Sequence, residues 1–204
     1  MLKVGLTGSI AVGKTFVCGV LAELGCTVLD ADKTAREVVE RGTEGLERIV
    51  REFGHEVLDA DGALDRKKLA AIVFGDPAKR ELLNSIVHPL VIERQDRWLA
   101  EQEGLDPEGI AVIDAALMIE SGGYKRFDQL IVVWCEADVQ LRRLMERDKL
   151  TETEARRRIE AQMPQSEKKK YADHLINTSL GFEDTRRQTE DVFRVLRGSV
   201  RASN

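Results

Sequence analysis

The chain has 204 residues, of which 43% are hydrophobic and 33% are charged, and its formal net charge is −5. This length suits one α/β domain with elaborations, and the acidic charge argues against a nucleic-acid partner. No apolar run approaches the length of a membrane span, and no signal peptide precedes the first predicted strand. Together with Cys18, Cys26 and Cys135, which we expect to be buried reduced thiols, these features predict a cytoplasmic protein. We expect a monomer or a small homo-oligomer, a choice that the sequence does not decide.

The first motif lies between a strand predicted at 2–6 and a helix predicted at 16–24. Residues 8–15 fit the pattern G-x-x-x-x-G-K-[ST], in which glycines turn backbone N–H groups toward an anion. The helix that follows aims its positive end at phosphates, and Lys14 would reach the β- and γ-phosphates. A glycine-rich turn with a chance Lys-Thr pair is the alternative. The motif predicts an ATP site formed by Gly8, Ala11, Val12, Gly13, Lys14, Thr15 and Phe16.

Acidic residues follow the second predicted strand, at 27–29. Ligands of parallel sheets bind at the carboxyl ends of the strands, where Asp30 and Asp32 are expected. Asp32 is placed to accept a proton from an attacking hydroxyl group, which makes it a candidate general base. Spacing leaves open the alternative that Asp30 or Asp32 caps a helix beginning at Thr34.

Residues 33–89 form a mostly helical region with no clear strand. The region is too long for a simple crossover, so we predict an inserted substrate domain between core segments 1–32 and 90–204. Its apolar periodicity and cap residues predict helices at 34–40, 44–53, 65–74 and 77–86, with a further helix at 90–103.

Three more strands are predicted, at 110–114, 130–134 and 174–176. Continuous apolar runs separated by helices favour a parallel sheet that is covered on both faces. Asp114 ends the third strand, where a carboxylate in phosphate-loop proteins supports Mg²⁺. Thr15 and Asp114 are therefore the predicted metal residues, although Asp114 could instead cap the following turn.

A basic segment follows the fourth strand. Residues 141–170 include ten Lys and Arg residues and six acidic residues, which gives the segment a net charge of +4. Gln140, Arg143 and Arg147 share one face of a predicted helix, at i, i+3 and i+7. A capping box at Thr151 opens a second helix. Two basic helices indicate a lid, residues 139–172, that closes over transferring phosphates.

The alternative for this segment is a solvated helical hairpin in which Arg and Glu pair at i, i+4. We favour that alternative for Arg156 and Arg157. For Arg143 and Arg147 we favour contact with the transferring phosphate, which makes them candidate catalytic residues with Lys14 and Asp32.

Absent motifs narrow the class of protein. No D-x-x-G follows Asp114 and no N-K-x-D follows the fourth strand, which argues against a GTPase. A small-molecule kinase remains, with two alternatives: another small-molecule or nucleoside monophosphate kinase, and a nucleotide-dependent regulator whose lid binds a partner.

Ordered motifs over nearly the whole chain resemble those of dephospho-coenzyme A kinases. They are the runs 4–8, 13–15, 29–32 with Arg36, 84–90, 140–147 and 158–164, followed by Lys168, 172–173 and Asn177.

The resemblance implies a three-layer α/β P-loop kinase fold, with a five-stranded parallel sheet, a helical acceptor-binding insertion and a helical lid. It implies transfer of phosphate from ATP, with Mg²⁺, to the ribose 3′-hydroxyl of dephospho-coenzyme A, the final step of coenzyme A biosynthesis. It also implies that Asp32 is the base, that Asn177 lies near the adenine of ATP, and that Arg36 and His88 serve the acceptor.

The sequence departs from the family pattern at two places. Ala11 and Val12 occupy the middle of a loop that is usually richer in glycine, and Ala116 stands where a proline is common. We expect a small local difference in the backbone after Asp114, with activity retained.

Overall fold

The structure, a computed structural model, describes residues 1–202, with the backbone alone for 201 and 202; the last two residues of the predicted core segment lie outside this range. The strands are β1 (Leu2–Thr7), β2 (Thr27–Asp30), β3 (Ile110–Asp114), β4 (Gln129–Trp134) and β5 (His174–Asn177). The helices are α1 (Lys14–Glu23), α2 (Ala31–Glu37), α3 (Glu44–Phe53), α4 (Arg66–Val73), α5 (Pro77–Leu105), α6 (Ala137–Asp148), α7 (Glu152–Glu160), α8 (Gln165–Lys168) and α9 (Phe182–Ala202).

The five strands form one parallel sheet in the order β2-β3-β1-β4-β5. Its apolar core draws on β1, β3 and β4 together with α1 and α9. The predicted five-stranded parallel α/β fold is therefore confirmed. In the register, Asp114 of β3 pairs with Leu6 of β1 and with Asp30 of β2, so these three strands reach the same edge of the sheet.

The chain divides into two compact units. The core unit is Met1–Asp30 together with the chain from Glu101 onward, and the insert unit is Ala31–Ala100. The first division lies two residues before the predicted boundary at 32/33. The second lies eleven residues after the predicted boundary at 89/90, because residues 90–100 continue α5 and group with the insert unit. That the insert unit receives the acceptor stays a prediction.

The insert unit has a hydrophobic core of its own. Ile49 of α3 and Val57 are fully buried there, and Leu69 of α4 packs beside them. Two caps start its helices: Thr43 accepts a hydrogen bond from Leu46 N–H, and Asp65 accepts from Lys67 and Lys68 N–H. These caps satisfy N–H groups that a helix end otherwise leaves exposed.

The prediction of two helices at 77–86 and 90–103 is wrong in one respect. A single helix, α5, runs through Pro89. Proline inside a helix removes one backbone hydrogen bond and costs about 3 kcal/mol, and sequence periodicity around it favours a break. Burial of the apolar side chains of Ile86 and Leu99 along α5 offsets that cost.

Within residues 1–202, no helix combines the length and the apolar composition that crossing a membrane requires.

Candidate active site

Backbone geometry explains the two flanking glycines of the phosphate loop. A Cβ on Gly8 would lie 2.3 Å from the carbonyl oxygen of Val133, so only glycine fits against β4. Gly13 has a φ of 93° and is the N-cap of α1. Because α1 begins at Lys14, two residues earlier than the sequence predicts, Lys14 and Thr15 belong to its first turn.

A cavity of about 560 Å³ opens beside this loop within the core unit. It collects six of the predicted ATP-site residues and both predicted lid arginines, whereas Gly8 and Asn177 are not among its described lining residues. The lining consists of Ser9, Ala11, Val12, Gly13, Lys14, Thr15, Phe16, Arg143, Glu146, Arg147, Thr178, Gly181, Phe182 and Thr185.

Lys14 and Asp114 form an ion pair at the carboxyl end of β3. Lys14 Nζ lies 3.7 Å from Asp114 Oδ1, which is buried. The helix terminus and the ammonium group together make this end of the cavity positive, which suits a polyphosphate.

Cys18, one turn after Lys14 on α1, is half-buried beside Asp114. Burial, and next the Asp114 carboxylate, raise the pKa of its thiol. Cys26 and Cys135 are buried, and burial raises the pKa of each. None of the three forms a disulfide, so all three are protonated thiols with low reactivity at neutral pH.

Arg143 is held against the phosphate loop by Thr178. Its Nη1 donates to Thr178 Oγ1 and its Nη2 donates to the Thr178 carbonyl, both at 2.8 Å. The Thr178 hydroxyl in turn donates to the carbonyl of Val12 at 2.7 Å. Arg143 is thereby fixed at the cavity wall before any ligand binds.

Arg147 is held differently, by Asp148. Its Nε donates to Asp148 Oδ1 at 2.8 Å, and Arg158 Nη1 contacts Asp148 Oδ2 at 2.8 Å. The Arg147 hydrogen bond lowers the pKa of Asp148 most strongly. Since the Arg147 side chain is 55% exposed, this ion pair contributes little stability and is easily exchanged for a phosphate.

The alternative expected for Arg156 matches the structure. Arg156 pairs with Glu152 at 2.7 Å on the exposed face of α7, and the predicted capping box of Thr151 and Glu154 starts that helix.

Glutamines of the lid contact the phosphate loop, which the sequence did not predict. Gln162 Oε1 accepts from Ile10 N–H, and Gln140 Nε2 donates to the Ile10 carbonyl, each at 2.8 Å. Helical spacing placed Gln140 on the same face as Arg143 and Arg147, yet it is buried. In the sequence, a buried glutamine has the same pattern as one that faces solvent, because its hydrogen-bond partner lies far away along the chain.

Lys168 is the largest fully buried side chain of the core unit. Its Nζ donates to the Ala116 carbonyl at 2.8 Å and pairs with Glu120 at 2.8 Å. Burial lowers the pKa of Lys168, and Glu120 opposes that shift. Because proline would supply the same carbonyl, alanine and proline are equivalent at 116 for this contact.

Two aromatic rings also line the cavity. Phe16 and Phe182 lie 4.9 Å apart between ring centroids, and Phe182 is 73% exposed. Only Phe16 was predicted, because Phe182 is distant in sequence and carries no motif.

Asn177 ends β5 and shapes the loop that leads to the cavity. Its Oδ1 accepts from Ser179 N–H at 2.9 Å, and its backbone groups are bound by the Gln188 amide.

The predicted acceptor residues lie in the insert unit. Asp32 is in the first turn of α2, so it is inside the helix and not its N-cap residue. Arg36 ends the same helix, and His88 lies on α5. All three side chains are exposed.

The predicted metal residues supply hard oxygen donors. Mg²⁺ in nucleotide sites takes one or two protein ligands and completes its shell with phosphates and water. Residues 1–202 contain no group of three or more His, Cys, Asp or Glu side chains that would hold a metal alone. Thr15 lines the cavity next to Lys14, and Asp114 lies 3.7 Å from the Lys14 ammonium group. The hydroxyl and the carboxylate fit the smaller ligand set that Mg²⁺ requires.

Known proteins are similar to this chain over nearly its full length. A family model described as dephospho-CoA kinase matches residues 2–184. A dephospho-CoA kinase of Shouchella clausii is 48% identical over 192 residues, which cover 93% of this chain and 96% of that protein. A crystal structure from Thermus thermophilus has a TM-score of 0.78 and 32% identity, and covers 96% of this chain and 97% of its own. Dephospho-CoA kinase from Campylobacter jejuni has a TM-score of 0.62 and 27% identity over 95% and 96% of the two chains.

Proposed function

Because the chain belongs to the dephospho-CoA kinase family, we propose that its cavity holds ATP and that its insert unit holds dephospho-coenzyme A. The enzyme phosphorylates dephospho-coenzyme A with ATP in the final step of coenzyme A biosynthesis. The 3′-oxygen of the ribose attacks the γ-phosphorus, the bond between that phosphorus and the bridging oxygen breaks, and ADP leaves.

The phosphate loop and Lys14 bind the triphosphate. Gly13 and the first turn of α1 offer backbone N–H groups, and the Lys14 ammonium offsets the negative charge on the β- and γ-phosphates. The observation that carries this assignment is the cavity itself, in which the loop, Lys14, Arg143 and Arg147 line one space.

Arg143 and Arg147 have different roles in the lid. Arg143 is already fixed beside the loop by Thr178, so it needs no rearrangement to meet a phosphate oxygen. Arg147 leaves Asp148 for the developing charge on the transferring group. An arginine that stabilises this charge contributes on the order of 10³–10⁵ in rate.

Asp32 takes the proton of the attacking hydroxyl, and Arg36 and His88 contact the acceptor. Support comes from exposure of all three side chains in the insert unit and from the position of Asp32 directly after β2. Placing the base on a helix that follows a strand end is consistent with the general position of ligands in parallel sheets.

Thr15 and Asp114 hold Mg²⁺. When bound, Mg²⁺ offsets phosphate charge and orients the β- and γ-phosphates. The chain itself contributes the hydroxyl and the carboxylate, and the Lys14 ammonium group lies 3.7 Å from that carboxylate.

We further propose a cytoplasmic enzyme with no nucleic-acid partner, acting as a monomer or a small homo-oligomer. Three protonated thiols without a disulfide support a reducing compartment.

Turnover with a panel of acceptors tests the function. ATP consumption is measured with dephospho-coenzyme A, adenosine, AMP and shikimate, with no protein partner added. We expect ATP to be consumed with dephospho-coenzyme A and not with the other three acceptors. A preference for AMP or shikimate would indicate another kinase, and dependence on a partner protein would indicate a regulator.

A further inference from the structure

Ala11 occupies a conformation that its side chain disfavours. Its φ is 59°, in the left-handed region that glycine adopts freely. A residue with a Cβ stays there only when its surroundings hold it. The structure shows what holds it, since both neighbours of Ala11 are fixed through their backbones.

On one side, both backbone groups of Ile10 are bound by glutamines. Its N–H donates to Gln162 Oε1 and its carbonyl accepts from Gln140 Nε2, each at 2.8 Å. Gln140 is 2% exposed, so its hydrogen bonds do not compete with water. Gln165 fixes Gln140, because its Nε2 donates to Gln140 Oε1 at 2.8 Å while its Oε1 accepts from Cys135 N–H at 3.1 Å.

On the other side, the carbonyl of Val12 accepts from Thr178, which Arg143 holds with two hydrogen bonds. The peptide group before Ala11 and the peptide group that follows Val12 therefore have fixed directions, so the backbone is held on both sides of Ala11. Neither Gln140 nor Gln162 is among the described lining residues of the cavity, so their influence on a ligand passes through the loop.

We propose that Gln140 and Gln162 are positioning residues that hold the phosphate loop in its anion-binding conformation around left-handed Ala11. They allow this chain to carry alanine at a position whose conformation glycine would adopt unaided. This inference rests on the proposed ATP site, and it assigns to the lid a second role besides supplying arginines. The lid holds the loop ready before nucleotide arrives.

The decisive experiment compares Gln162→Met in two backgrounds, the natural chain and Ala11→Gly. Methionine keeps the length of glutamine and loses the acceptor for Ile10 N–H. In the natural chain the loop then spends less time in the competent conformation, so we expect the Kd of a non-hydrolysable ATP analogue to rise about tenfold. In the Ala11→Gly background we expect a rise of less than about threefold, because glycine favours the conformation by itself.

A kinetic measurement separates positioning from catalysis. At saturating ATP the loop is occupied, so kcat of Gln162→Met should stay within about twofold while the KM for ATP rises. Gln102→Met, a half-buried glutamine on α5, is the matched control and should change neither value.

Amide hydrogen exchange without nucleotide gives a readout that does not depend on activity. Ile10 N–H should exchange faster in Gln162→Met and stay protected in Gln162→Glu, which keeps an acceptor oxygen at the same position. Gln162 is half-buried, so both variants are expected to fold.

Two results overturn the proposal: unchanged ATP affinity in Gln162→Met, or an equal loss in both backgrounds. Lys14→Ala distinguishes these from failure of the ATP site. If Lys14→Ala leaves binding of the analogue intact, the ATP-site assignment is wrong. If Lys14→Ala abolishes binding and Gln162→Met leaves binding unchanged, the ATP site stands and only the inference about the glutamines is wrong.

Discussion

At the scale of single residues, the two lid arginines differ in what holds them. Arg143 is fixed by the hydroxyl and the carbonyl of Thr178, whereas Arg147 forms an exposed ion pair with Asp148. The planar guanidinium makes both contacts of Arg143 at once, which an ammonium group cannot do. Charge alone therefore does not explain either residue.

Arg143→Lys and Arg147→Lys should each lower kcat/KM by at least about tenfold, or about 1.4 kcal/mol, because lysine lacks the fork that grips two oxygens. Steady-state kinetics with both substrates measure the effect. Arg157→Lys, exposed on α7, is the control and should be nearly silent. Equal effects at all three positions would show a general electrostatic role.

Asp32→Asn should lower kcat by about 10²–10⁴ and leave ATP affinity nearly unchanged. Asparagine keeps the shape of the side chain and cannot accept the proton of the ribose hydroxyl. The two quantities are measured by turnover and by binding of a non-hydrolysable analogue. A fall of less than about tenfold would rule out the base role.

At the scale of elements, the lid is anchored unevenly. The first two turns of α6 bury Val139, Gln140 and Leu144, while α7 buries only Ala155 among its described residues. An element with little buried surface opens at low free energy. The part of the lid that responds to ligand should therefore be α7.

Hydrogen exchange across 139–172, with and without an analogue that carries both substrates, tests this. We expect ligand to increase protection mainly in α7 and to change α6 little. Equal protection of α7 in both states would show a fixed lid, and closure would then play no part in excluding water.

The far end of the lid is secured by Lys168 of α8. Lys168→Met removes the shortest donor to the Ala116 carbonyl and to Glu120, which keep only the longer hydrogen bonds from Thr7 and Met163. We therefore expect the free energy of unfolding to fall by about 1–3 kcal/mol. Urea denaturation measures the change. Lys170→Met, an exposed lysine paired with Glu167, should alter stability by less than about 0.5 kcal/mol. Matching losses in both variants would contradict a special role for the buried amine.

At the scale of the whole molecule, each compact unit carries its own hydrophobic core. This division supports separate assignment of the two substrates, with ATP in the core unit and dephospho-coenzyme A in the insert unit. A kinase must bind both substrates and keep water from the transferring group.

Each substrate alone should therefore protect a different part of the chain from hydrogen exchange. Dephospho-coenzyme A should protect amides within 31–100, and the ATP analogue should protect 8–16 and 178–185. Shikimate, as the control, should protect neither range. Protection by dephospho-coenzyme A confined to the core unit would remove the insert unit from acceptor binding.

The sequence by itself determined the elements whose signals are local. The pattern at 8–15, the five apolar runs and the capping box at Thr151 each lie within one short window, and each appears in the structure where predicted. Such features follow from backbone preferences and periodicity, which need no knowledge of distant residues. The ordered motifs were also enough to indicate the kinase family.

Only the tertiary structure decided which polar side chains serve the phosphate loop. Gln140 is 130 residues from Ile10, and Thr178 is 166 residues from Val12. A glutamine or threonine has the same local signature whether it faces water or a buried carbonyl, so periodicity placed Gln140 beside the arginines. The continuity of α5 through Pro89 likewise depends on packing along the helix. Sequence patterns report the local cost of a proline inside a helix, but they do not report the burial that outweighs it.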